Sequence, residues 1–419
     1  MTDTVTEHLA APLADPDTFV DGPPWEIFRA LRDREPVAWT PEAEPHHGFW
    51  SVTRHADIIA VSRDWASFSS SRGVSLEELD DEQLTHRTSM IDTDPPAHGK
   101  LRKIVAGQFL PRVVNGYEAF LRGIVATTLD NALPLGSFDF VEKVSSEIPV
   151  RVLARMLSVP DTDHARLTAW GDRLVGHTDP ELADVLLGSE ESEEFRLIPF
   201  RSPAALEVFE YGRALQAERR ARPTGDLISL LVEATIDDEP LPQQDLDNYF
   251  LLLARAGQET TRQALTLALQ TLVEHPEALA RLQEQPELLS GPALDELLRW
   301  GPPVYHMRRT AMVDTTIGDT PVRAGDKVAL WYPAGNRDER AVANPDVLDL
   351  DRTAVDSLTF GKGGPHFCMG SFLAKLEYRV TLEELVARID TVRIDGPVER
   401  LRSNFVHGIK RMPVTVTTR

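Results

Sequence analysis

The segment Gln243–Leu272 constrains the fold more than any other part of this chain. It carries apolar residues at helical spacing throughout, and its stretch Phe250-Leu-Leu-Leu-Ala-Arg-Ala-Gly257 is apolar nearly all round. A helix without a polar face is stable only when other elements surround it, so this one is expected to cross the core. Further helices are expected at Trp25–Arg34, Arg102–Leu110, Val113–Leu133, Ile148–Leu157, Pro203–Ala221, Asp226–Ala234 and Gly291–Trp300, each with apolar residues three to four apart. Strand-like pieces are fewer: Pro36–Trp39, Gly48–Thr53, Met307–Thr310, Val322, Lys327–Trp331 and Val414–Thr418. The expected fold is therefore mainly α with a small β region. No Gly/Ser-rich or Pro-rich linker divides the chain, so residues 1–419 are expected to form one domain, with about the first fifteen residues poorly ordered.

Charge and composition exclude several functions. The 44 Lys and Arg against 66 Asp and Glu leave a net charge of −22, unsuited to a general binder of nucleic acid or anionic membrane. No run approaches the roughly 18 apolar residues of a membrane span. The first residues, Met-Thr-Asp-Thr-Val-Thr-Glu-His, lack a basic segment followed by an apolar stretch. Together with a single cysteine, this leads to the expectation of a cytoplasmic protein.

That cysteine, Cys368, lies in Phe360-Gly-Lys-Gly-Gly-Pro-His-Phe-Cys-Met-Gly370. One cysteine cannot form an internal disulfide, and alone it cannot build a structural zinc site. A single thiolate does suit a haem iron whose proximal ligand donates electron density. The glycines would let the backbone run close beneath a planar cofactor. The run Phe372–Glu377 suggests a helix that starts just after the cysteine, whose amides would stabilise a thiolate. The alternative is an inert, buried cysteine beside a turn.

Other segments break local rules. Ala256-Gly-Gln-Glu-Thr-Thr261 sits mid-helix, where Gly costs about 1 kcal/mol relative to Ala and a threonine hydroxyl can bond the preceding turn. Gly257 would open a groove, with Glu259 and Thr260 placed to pass protons; the alternative is a tolerated kink with Glu259 paired to a cation. Glu296 and Arg299 share a helical face among leucines, either as a buried pair needing further hydrogen bonds or as an ordinary exposed one. In Asp94-Pro-Pro-Ala-His98-Gly-Lys-Leu-Arg102, His98 and Arg102 are a turn apart, able to grip an anion or simply to begin an exposed basic helix.

In this order, these segments resemble the cytochrome P450 superfamily, from about Pro16 to the C-terminus. The resemblance implies the P450 fold, with haem b between the long central helix and the cysteine loop and its helix. It implies that Cys368 is the axial iron ligand, that Phe360 packs on the cysteine loop, and that His98, Arg102, Arg309 and His366 lie at the haem propionates. Gly257 would flank the haem, Glu259 and Thr260 would relay protons, and Glu296, Arg299 and Arg352 would form a structural trio. Between Phe360 and Cys368 there is one residue more than the commonest pattern. Similar spacing, and the tail Glu399–Arg411, resemble the bacterial branch that oxidises sterols, branched lipids and terpenes. The implied reaction inserts one oxygen atom of O2 into a small organic substrate, by hydroxylation or epoxidation. A degenerate, non-catalytic relative would be expected to lack Cys368 or the Glu259–Thr260 pair, and both are present.

The chain holds no flavin or iron–sulfur module, so ferredoxin and ferredoxin reductase are the expected electron donors to a monomer. Lys100, Lys103, Arg112, Lys362 and Lys375 could form a basic docking patch for them. Arg255 stands where an aliphatic residue next to Ala256 would commonly face substrate. It either meets an acidic or polar substrate group or pairs internally, for example with Glu259 four residues on. On the first alternative a natural-product tailoring role is favoured over lipid, sterol or terpene catabolism. Residues 70–92 and 178–205 are expected to form a mobile lid.

Overall fold

The structure, a computed structural model, describes residues 8–44 and 46–419. Its axis is a helix of 32 residues, Gln243–Glu274, about 48 Å long at the standard rise. The helices Glu147–Leu157, His164–Val175, Pro203–Ala221 and Ser371–Arg388 pack around it. Ala264, Leu265, Leu267, Ala268 and Leu269, which spread around the helix, are all buried, as an all-round apolar helix requires. Close approach depends on Gly212, since a Cβ there would come within 2.5 Å of the Phe250 ring. The helix runs unbroken through Gly257.

A five-stranded sheet lies to one side, in the order Val37–Thr40, Phe49–Val52, Lys327–Trp331, His306–Ala311, Phe68–Ser69. Lys327–Trp331 pairs parallel with Phe49–Val52 and antiparallel with His306–Ala311, with Trp331 opposite His306. A three-stranded sheet joins Ile389–Ile394, Pro413–Thr418 and Ser137–Asp139. The mainly α fold with a small β region is thus the one observed.

Trp331 is fully buried, stacked on Phe19 and bordered by Phe28. Its indole N–H donates to Ser51 Oγ at 2.9 Å. The same cluster takes in Ala10 and Leu13, both buried. The expectation of a poorly ordered start therefore fails for residues 8–15, where burial of Leu13 against this aromatic group opposes the entropy of a free end. Residues 1–7 lie outside the described residues.

Candidate active site

The cysteine loop is folded over the N-terminus of the Ser371–Arg388 helix. Cys368 N–H donates to the Phe360 carbonyl at 2.9 Å, which closes the loop and fixes where the thiol projects. Gly364 presses so closely on the His55–Arg63 helix that a Cβ would fall 2.0 Å from the Ser62 carbonyl oxygen. Cys368 and Phe367 remain exposed. Although part of the residue is accessible, enclosure by protein pushes the thiol pKa up; the Gly370 amide and Arg102 pull the other way. The expected stabilisation of a thiolate by the helix amides is therefore present but outweighed. Without a metal the thiol keeps its proton, and ligation would remove it.

Beside this loop, basic groups gather, with Asp94 and Asp92 acting on them only from a distance. The His98 and His366 rings lie 4.2 Å apart, and Arg102 Nη2 donates to the Phe367 carbonyl at 2.7 Å. Arg309 is buried and donates to the Arg308 carbonyl at 2.7 Å. Burial, then Arg309, His98 and Arg102, push His366 down to about 3. His366 Nε2 is buried without a partner. Among the described residues none of these four groups has a carboxylate within ion-pair distance. Such a cluster is costly unless an anion joins it.

Across the site, Ala256 and Gly257 are exposed in the middle of the otherwise buried central helix. A Cβ on Gly257 would meet only Leu153, at 3.5 Å, so the helix leaves open space here. Thr260 Oγ1 donates to the Ala256 carbonyl at 2.9 Å. Glu259 is buried, and its Oε1 accepts from Arg262 and from Gln263, both at 2.7 Å. Its Oε2 has no partner, and burial raises its pKa despite Arg262. Glu259 is thus paired to a cation, as one alternative had it, but the cation is Arg262, and Arg262 also reaches Asp172 at 2.5 Å. Arg262, Gln263 and Asp172 were not identified from the sequence. The signal for the first was available, since Glu259-Thr-Thr-Arg262 repeats the spacing of Glu296-Leu-Leu-Arg299.

Arg255 forms no ion pair with Glu259, so the internal i,i+4 pair is not made. Its guanidinium instead lies 4.2 Å from the Phe200 ring centre and 5.5 Å from that of Phe405. Neither aromatic residue was picked out from the sequence. Arg255, Ala256, Glu259 and Thr260 line a cavity of about 590 Å³. Both segments expected to form a lid border it, and they are tied together: Arg196 bridges to Asp80 and Glu82 at 2.7 Å, and Arg201 to Glu77 at 3.0 Å. A larger surface groove, of about 780 Å³ beside Phe120 and Arg151, holds none of these residues.

Glu296 and Arg299 are fully buried, 2.7 Å apart, which rules out the exposed alternative. Arg352 Nε adds a second cation at 3.0 Å, and the Asp349 N–H a further donor at 3.1 Å. Arg299 Nη1 donates to the carbonyls of Asn336 and Pro345, both at 2.9 Å. Burial would raise the Glu296 pKa, but the bonds to Arg299 overcome it and hold the carboxyl below its usual range.

Comparison with known proteins bears on what this site is. The sequence pattern described as cytochrome P450 matches residues 205–398. The chain is 36% identical over 398 residues to a methyl-branched lipid omega-hydroxylase of Mycobacterium tuberculosis, covering 93% of this chain and 90% of that protein. The chain belongs to the cytochrome P450 family. This P450 is also 35% identical over 415 residues to a linalool 8-monooxygenase of Pseudomonas putida, covering 96% of this chain and 98% of that one. A solved Mycobacterium marinum cytochrome P450 in complex with pseudoionone superposes with a TM-score of 0.85, at 37% identity, over 93% of this chain and 94% of that one.

The protein is a cytochrome P450 monooxygenase of the bacterial branch that oxidises sterols, lipids and terpenes, and its cofactor is a thiolate-ligated haem. The residues present fit that group. The chain's one cysteine is partly accessible, Arg102 and Arg309 stand near it with no carboxylate at ion-pair distance among the described residues, His366 Nε2 is orphaned, and the helix opposite is stripped of side chains at Gly257. Like its family, it depends on redox partners and a small-molecule substrate. No helix among the described residues is long and apolar enough to cross a membrane.

Proposed function

We propose that this P450 hydroxylates an aliphatic carbon of a lipid-like or terpene-like substrate. This replaces the tailoring role first favoured: the relatives are named for lipid and linalool oxidation, which supports the catabolic alternative better. The observation that carries the proposal is the cavity. Ile91, Leu252, Val304, Met307 and Phe405 line it, and it reaches Ala256 and Thr260 on the central helix. An apolar chamber of this kind takes an apolar chain and keeps water from the reacting carbon.

Cys368 would ligate the iron, with Phe360 closing its loop. His98, Arg102, Arg309 and His366 would hold the propionates, which supply the anions this basic cluster lacks. The haem, once bound, supplies oxygen activation and the oxidant that attacks the C–H bond. The chain's own groups control protons and position. Thr260 Oγ1, bonded to the Ala256 carbonyl, is oriented across the helix face that Gly257 leaves bare. Glu259 can take or release a proton at its unpartnered Oε2 while Arg262 holds Oε1. Glu296, Arg299 and Arg352 touch none of this and would hold the fold beneath the cysteine loop.

Electrons would come from a ferredoxin and its reductase. Lys103 and Arg112 are exposed and have no acid partner among the described residues. Lys100 and Lys375 pair with Asp237 and Asp295, and Lys362 pairs with Asp356, so the patch is smaller than the sequence suggested.

The test is turnover with ferredoxin, reductase, NADH and ¹⁸O2 on a panel of branched alkanoic acids and acyclic terpene alcohols. A product carrying one ¹⁸O supports the proposal; no oxygenated product from the panel counts against it. Cys368→Ala is expected to abolish both this activity and the red-shifted Soret band of the reduced carbon-monoxide complex. A variant that kept both would remove Cys368 as ligand.

A further inference from the structure

Arg255 forms no ion pair with any described residue, although Glu259 and Asp92 act on it from a distance. Every other charged group lining the cavity is accounted for. Glu77 pairs with Arg87 at 2.6 Å and with Arg201 at 3.0 Å. Glu78 pairs with Lys327 at 2.7 Å, Glu42 also meets Lys327, and Glu193 meets Arg201. The half-buried His177 and the buried His306 are each pushed down to about 4, first by desolvation. The acids nearest Arg255 in effect are Glu259 and Asp92, and both are committed elsewhere. Glu259 is held by Arg262 and Gln263, and Asp92 Oδ2 accepts from Ser89 N at 3.1 Å and Ser89 Oγ at 2.8 Å. Arg255 Nε is buried with no hydrogen-bond partner.

The guanidinium is nevertheless well positioned. Phe200 lies against it from the segment around Pro199–Arg201, and Phe405 from the C-terminal region. Phe200 and Arg201 both adopt left-handed backbone, at φ of 60° and 49°, which side chains with a Cβ rarely accept. The bridges from Arg201 to Glu77 and Glu193 hold that turn. Aromatic faces fix a guanidinium without using its N–H donors, which stay available to an acceptor. A cation held in this way has no counter-ion at hydrogen-bond distance, and its free donors face the cavity.

We propose that Arg255 is a specificity-determining residue that binds a carboxylate on the substrate. The inference rests on the proposed oxidation of an apolar chain and adds the head group that chain carries. Its consequence is regiochemical. On a helix, Arg255 lies about 100° from Ala256 and about 140–160° from Thr260 and Gly257, so it enters the cavity they share from the flank turned away from that face. The carboxylate is thus anchored away from the face bearing Gly257 and Thr260, and oxidation falls on a carbon remote from it.

The test uses purified holoenzyme, as wild type, Arg255→Leu and Arg255→Lys, with dodecanoate, methyl dodecanoate and dodecan-1-ol. Binding is followed by the Soret shift and by calorimetry. Wild type is expected to prefer dodecanoate over both neutral chains by about tenfold or more, the value of a hydrogen bond to a charged group. Arg255→Leu should erase that preference while leaving the alcohol within about twofold, and Arg255→Lys should restore part of it. Wild type that bound the acid no better than the alcohol, or not at all, would overturn the proposal, as would an unchanged preference in Arg255→Leu. Carboxylate selectivity without any oxidised product would leave the anion site standing and defeat the oxidation proposal. Oxidised product with no head-group preference would do the reverse.

Discussion

Glu259 and Glu296 are the same group in the same local setting, and they behave oppositely. Each sits inside a helix, is buried, and has an arginine three residues on at 2.7 Å. Yet burial drives the Glu259 pKa up, whereas Glu296 is held down. The difference lies in the remaining lone pairs. Both oxygens of Glu296 are bonded, through Arg299, Arg352 and the Asp349 amide. Glu259 leaves Oε2 bare, and Asp172 opposes its charge while competing for Arg262. A salt bridge alone therefore does not say whether a buried carboxyl is structural or functional. Completeness of its hydrogen bonding decides which way its pKa moves.

The sharpest way to break the comparison is stability. Glu296→Gln strips the charge from a site built around Arg299 and Arg352, and breaking a buried pair costs about 3–5 kcal/mol. Loss of haem content and a large fall in melting temperature are expected. Glu259→Gln should cost less than about 1 kcal/mol, because Arg262 keeps Asp172 as a partner. Equal losses in the two variants would end the distinction. The pH dependence must also differ in sign. The Glu296 pKa is depressed, so its contribution is complete above the unfolded value near 4.3 and is lost as pH falls through the folded one. The Glu259 pKa is raised, so its contribution is present below that value and declines as pH rises through the folded one. Melting curves between pH 3 and 8 for the two Gln variants would separate them.

The same contrast shows what the sequence makes legible. Periodicity placed the central helix and the helices Trp25–Arg34 and Pro203–Ala221, because their apolar faces repeat locally. The Glu296–Arg299 pair was visible as spacing, but its burial depended on Arg352, and its carbonyl partners at Asn336 and Pro345 lie far along the chain. The environment of Arg255 was not visible at all. Phe200 and Phe405 reach it from segments 55 and 150 positions away, with no pattern that links them to the helix. The ordered start at Leu13 was missed for the same reason: its partners include Trp331. Local chemistry was readable, while the contacts that decide whether a polar group is satisfied are non-local.

A smaller effect tests whether the bare oxygen of Glu259 matters to chemistry. Thr260→Ala removes the hydroxyl of the neighbouring residue, which lines the same cavity, and Glu259→Gln removes the exchangeable carboxyl proton. In each, product formed per NADH consumed should fall by about an order of magnitude. That is less than the roughly 10²-fold a positioned acid contributes, because water can still enter the cavity. Glu296→Gln protein that retains haem should keep normal coupling. Coupling unchanged in both distal variants would remove the proton role from Glu259 and Thr260.

The smallest expected effect carries the comparison of answered and unanswered charge to the surface. Lys100 and Lys375 lie in exposed ion pairs, which are worth little and are easily screened. Lys103 and Arg112 have no such partner among the described residues, so their field reaches into solvent without local cancellation. On a chain of net charge −22, an acidic ferredoxin is repelled everywhere except where such positive charge is left over. Lys103→Glu and Arg112→Glu should therefore slow reduction by ferredoxin several-fold at low ionic strength, and Lys375→Glu should slow it less. Raising the salt to about 0.15 M, where the screening length shrinks to about 8 Å, should bring all variants together. A stopped-flow reduction rate that was the same in every variant and at every ionic strength would mean that the ferredoxin docks elsewhere, and that an unpaired surface charge, unlike a buried one, marks no site.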